Sequence, residues 1–93
     1  MSEEDRIQDF VDRAPLPGAT RRLVRLGADW EGEPAVWVTV VLDAPAVDSL
    51  TDEQLADLRE AVRRAVRESG TERWPFVAVR TADEQAEIDR DSA

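Results

Sequence analysis

Apolar positions along this chain switch between two periods, and the switches mark out its elements. Ile7, Phe10, Val11 and Ala14 recur three and four residues apart, which predicts an amphipathic helix over the opening segment. Ser2 is placed to cap it, Glu3, Glu4 and Asp5 suit the positive end of the helix dipole, and Pro15, Pro17 and Gly18 stop it. From Arg21 the period becomes two. Val24, Leu26 and Ala28 share one face of a strand, and Arg21, Leu23, Arg25 and Gly27 share the other. A turn around Gly32 leads into a second strand, residues 35–42, whose two faces are Val36, Val38, Val40, Leu42 and Ala35, Trp37, Thr39, Val41. Both are apolar, so this strand belongs at the centre of a sheet.

After DAPAVD, to which the pattern assigns no element, the segment 51–69 carries the strongest helix signals. Thr51 and Gln54 have capping-box spacing, with Leu50 and Leu55 placed as a hydrophobic staple. Leu55, Leu58, Val62, Ala65 and Val66 form one apolar stripe, and Gly70 supplies a left-handed stop. Glu60 precedes Arg64 by four positions, the favourable order for an ion pair. Residues 74–81, WPFVAVRT, read as a third strand, with Pro75 suited to a sheet edge. Thr81 and Glu84 repeat the capping spacing before ADEQAEIDR, where only Ala82, Ala86 and Ile88 are apolar; docking of this segment is expected to be weak.

The order is α-β-β-α-β with a doubtful final helix. The expected fold is α/β in the sense of an α+β sandwich, a KH-like arrangement with a three-stranded mixed sheet. Strand 35–42 lies in the middle, the third strand runs parallel to it through a right-handed crossover, and the helices lie mainly on one face. Residues 1–88 form a single domain and 89–93 a frayed tail. The Val36, Val38, Val40, Leu42 face packs on the long helix. For Trp37, Thr39 and Val41 the pattern leaves three outcomes open: cover by a terminal helix, contact with a partner or a second copy, or exposure to solvent.

Composition narrows the chemistry. The chain has 93 residues, no cysteine, no histidine and no tyrosine, and its 12 cationic side chains are all arginine. Thiolate, imidazole and amine chemistry are therefore absent, as are the common zinc ligand sets, and no catalytic residue, cofactor or metal site is expected. Asp29, Glu31 and Glu33 alternate in a glycine-containing turn, but the glycine stands too early for a calcium loop, and a solvated turn is expected. Trp30 and Trp74 are expected to close the ends of the core. No apolar run reaches membrane-span length and the first residues are acidic, so a soluble cytoplasmic protein is expected. The net charge of −9 disfavours broad contact with nucleic acid.

Two resemblances follow from these residues. The element order, the AVWVTVVLD strand and RESGTERWPFVAVRTADE resemble the ribosome-binding factor A group, although the sequence has no GxxG loop. That resemblance implies RNA or ribosome contact, for which Arg63, Arg64 and Arg67 are the candidate residues. The combination DWEGEPAVWV, VLD, a helix and WPFV is similar to a group of small uncharacterised bacterial proteins whose genes often neighbour those for HEPN-domain or nucleotidyltransferase proteins. It implies a small acidic accessory protein, antitoxin-like, with a protein partner and no catalytic residues. The leading expectation is a non-catalytic interaction or regulatory module that binds its partner through Trp37, Thr39, Val41 and Arg25.

Overall fold

The structure is a computed structural model that describes residues 1–92. Its elements are α1 (Glu3–Arg13), β1 (Ala19–Ala28), β2 (Pro34–Leu42), α2 (Ala44–Ser49), α3 (Asp52–Glu68), β3 (Trp74–Thr81) and α4 (Ala82–Ser92). The sheet order is β1-β2-β3, with β1 antiparallel and β3 parallel to β2. This is the mixed three-stranded α+β arrangement expected, with the doubly apolar strand in the centre and the proline-bearing strand at an edge.

The helix ends follow the side chains that cap them. The Ser2 hydroxyl accepts from the Asp5 amide, and Thr51 and Gln54 exchange both hydrogen bonds of the capping box. Thr81 and Glu84 do the same ahead of α4. Gly70, at φ +85°, turns the chain out of α3, a conformation that would strain any other residue. DAPAVD, left without an element by the sequence pattern, holds the short helix α2, because the Asp43 carboxylate caps it by accepting from the Ala46 amide and Pro45 fits its first turn.

The core lies between one sheet face and α1 with α3. Val36, Val38, Val40 and Leu42 point into it and meet Ile7 and Val11 from α1 and Leu58, Val62, Ala65 and Val66 from α3. Fully burying each larger side chain contributes roughly 1.5–3 kcal/mol. Arg22 fastens α1 to the sheet: one guanidinium nitrogen donates to the Val11, Asp12 and Ala14 carbonyls at 2.7, 2.7 and 2.8 Å. Those oxygens lie at the helix end that carries partial negative charge, where the Val11 carbonyl also accepts from the Ala14 amide. At the opposite end of the sheet Arg73 donates to Glu3 and to the Gly27 and Ala35 carbonyls.

On the remaining face lies α4, which is helical through Ser92, past Asp89 where the sequence places the start of a frayed tail. Residue 93 of that tail lies outside the described residues. The helices are thus mainly, but not wholly, on one face. Among the described residues no helix is long and apolar enough to cross a membrane.

Candidate docking surface on the open sheet face

Strand register assembles the second face row by row. Reading across β1, β2 and β3, the rows are Gly27–Ala35–Trp74, Arg25–Trp37–Phe76, Leu23–Thr39–Ala78 and Arg21–Val41–Arg80. Alternation puts all of these side chains opposite the core. Trp37 and Phe76 stack with ring centroids 4.4 Å apart and 16° between planes. The Trp37 indole leans towards Gly27, whose missing side chain leaves that ground open. Trp30, from the turn, lies over Phe76 at 6.0 Å.

Covering the other end of the face, α4 buries Val41, which is 1% exposed. Gln85 of α4 is 6% exposed; it accepts from Arg80 at 3.3 Å and donates to Asp89 at 3.0 Å. Asp89 also stands 3.9 Å from Arg21 on β1. Between the aromatic stack and α4 runs a groove of about 980 Å³ with Thr39 and Ala78 as its small floor residues. Ile88 and Asp89 line the α4 wall, Arg25 stands on the β1 side, and Arg63, carried by α3 on the core side of the sheet, lines it as well.

The four partner residues expected from the sequence therefore divide. Arg25 is exposed, Trp37 and Thr39 are half-buried, and all three line the groove. Val41 does not: α4 covers it, so it belongs to the interior. Trp30 and Trp74, expected to close the core, are instead 81% and 64% exposed, because the turn and the start of β3 present them on or beside the open face. The arginine run of α3 does not act together. Arg67 pairs with Glu60 at 2.9 Å, in place of the expected Glu60–Arg64 pair, Arg64 is exposed, and Arg63 turns to the groove.

The sequence pattern does not mark Phe76, Ala78, Arg80 or Gln85 as site residues, and it gives Ile88 only as an apolar position of the last segment. The alternation of Trp74, Phe76, Ala78 and Arg80 against Val77 and Val79 carried the signal for β3. The Gln85 contact had no such signal, since an apolar stripe does not announce a buried amide.

Among the described residues three carboxyls are displaced from their ordinary range, all downward. Glu3 is held down first by its hydrogen bond from Arg73, Glu60 by that from Arg67, and Glu84 by the Thr81 amide and hydroxyl, with Arg80 a smaller influence. Each favours the charged form, and none is raised into the range a general acid needs. The Asp29 carboxylate accepts from the Glu31 and Glu33 amides and so shapes its turn. Among the described residues no group of three or more acidic, histidine or cysteine side chains could hold a metal ion.

No protein-family model matches the chain, and no curated protein matches it. Its fold is shared with solved structures of the MamM CTD. One variant of that domain superposes with a TM-score of 0.58 at 21% identity, covering 85% of this chain and 92% of the other. A nickel form and a copper form both give 0.56 at 23% identity, again over 85% of this chain, and over 94% and 92% of theirs. At such identity the likeness extends to the fold alone.

Proposed function

We propose that the chain is a non-catalytic interaction module that docks a protein partner in the groove on its open sheet face. The observation that carries this reading is the stacked Trp37–Phe76 pair, left half-exposed on the face opposite the core and continued by exposed Trp30 and Trp74. Aromatic side chains of this kind offer large contact area with little conformational entropy to lose, and they concentrate where proteins meet. The side-chain repertoire agrees, since the chain has no histidine, cysteine, lysine or tyrosine. A regulatory role of the antitoxin-like kind, in which a small acidic accessory protein holds one dedicated partner, fits this surface and the sequence resemblance.

The test is quantitative capture from source-cell lysate with the tagged wild-type chain and with Ala78→Glu, which places a charged side chain on the groove floor. A partner retained stoichiometrically by the wild type, resistant to ribonuclease and lost with Ala78→Glu, supports the reading. Equal retention by both folded proteins rejects the groove. Retention that ribonuclease abolishes assigns the surface to RNA instead.

A further inference from the structure

Resting on the docking reading above, we infer that the groove selects an acidic, extended peptide segment of its partner, with a carboxylate at each end and an apolar residue between them. The ground for this is charge. The chain carries 21 carboxylates and 12 arginines, yet among the described residues none of those carboxylates lies within ion-pair distance of Arg25, Arg63 or Arg80. These three arginines line the groove, where Asp89 is the only acidic side chain among the lining residues, and it faces Arg21. A strongly acidic molecule has thus kept its groove basic.

Geometry fixes the form of the segment. Arg25 stands on β1, and Arg63 comes from α3, which packs against β3 on the other side of the sheet; β1 and β3 are two strand spacings, roughly 10 Å, apart. An extended peptide rises about 3.3 Å per residue and alternates its side chains. Positions i, i+2 and i+4 then share one side and span roughly 13 Å. Carboxylates at i and i+4 reach the two arginines, whose guanidinium groups match carboxylates in charge and shape. Position i+2 rests on Thr39 and Ala78 against the Trp37–Phe76 wall. The pattern is acid-x-apolar-x-acid.

A continuous polyanion fits less well. Beyond the groove, α4 presents Asp83, Glu84, Glu87 and Asp91, and the turn presents Glu31 and Glu33, all exposed. A nucleic-acid strand laid through the groove would meet these charges outside it. A second copy of this chain would bring another net −9.

The experiment is selection of a displayed random heptapeptide library on the whole chain, followed by anisotropy titrations with the synthesised winners. Acid-x-apolar-x-acid sequences should be enriched. Their affinity should fall about tenfold or more with Arg25→Gln combined with Arg63→Gln, and with glutamine replacing the peptide's glutamates. Those arginine changes leave the core untouched, and circular dichroism verifies the fold of each variant. Binders that lack acids but are lost with Ala78→Glu would overturn the acid preference and leave the docking reading standing. Selection without binders, or binders indifferent to Ala78→Glu, would overturn both. Tighter binding of labelled oligouridine than of any peptide would reassign the groove to nucleic acid. Sedimentation of a dimer that Ala78→Glu dissociates would reassign it to self-association.

Discussion

Glu3 and Arg73 lie 70 positions apart in sequence, yet the Arg73 Nε donates to the Glu3 carboxylate at 2.6 Å. The same guanidinium donates to the Gly27 and Ala35 carbonyls, so one side chain joins α1, β1, β2 and the entrance to β3. Because Arg73 holds Glu3 below its ordinary pKa, the carboxylate contributes stability above the unfolded-state value. That contribution disappears as pH falls through the lower folded-state value. Glu3→Gln should therefore lower Tm at neutral pH, with the difference from wild type shrinking as pH falls below the unfolded-state value and vanishing below the lower folded-state one. Thermal melts at a series of pH values measure it, and a pH-independent difference would deny the ion pair this role.

Arg22→Gln should destabilise the chain by about 1.5–3 kcal/mol, since three carbonyls at the end of α1 lose a charged donor. Urea unfolding measures the change. Amide exchange should rise first in α1, because the sheet keeps its other contacts. Wild-type protection there would show that the Arg22 bonds do not hold the helix.

Trp37 and Phe76 should be coupled by about 0.5–1.5 kcal/mol in a double-mutant cycle of Trp37→Leu and Phe76→Leu, the worth of a ring pair beyond its buried area. Additive losses would mean that the rings are mere neighbours.

Leu42→Ala should cost about 2–5 kcal/mol, because Leu42 is fully buried at the end of β2 and a cavity would remain. Thr51→Ala, which removes one half of the α3 capping box, should cost about 1 kcal/mol. The two sites act through different elements, so chemical denaturation of the double variant should return nearly the sum.

Much of the local chemistry is legible in the sequence, although the Asp43 cap of α2 acts between near neighbours and is not among the signals read there. The Ser2, Thr51 and Thr81 caps, the Gly70 stop and the two-faced pattern of β2 are of the legible kind, and together they specify the sheet order and the core. What depends on distant residues was not legible. The pairing of Trp37 with Phe76 requires the parallel register of β2 and β3, and the burial of Val41 requires α4 to dock through an amide, Gln85. Glu60 chose Arg67 over Arg64, although Arg64 stands at the favoured spacing. Near the groove, the alternation of Arg21, Leu23 and Arg25 disclosed which arginines share the open face; the contribution of Arg63 from the far side of the sheet did not show in any pattern.

The parallel placement of β3 beside β2 also bears on synthesis. When the ribosome has released β1 and β2, the hairpin carries Val36 to Leu42 with one strand edge bare, and the strand that covers that edge is still 32 residues away from Leu42, beginning at Trp74. A nascent chain that has emerged only as far as α3 would present that apolar edge to its surroundings, the condition under which strands pair with the wrong neighbour. Folding of this protein thus waits on the emergence of residues 74–81, and the groove, which needs α4 as its wall, is the last feature to take shape.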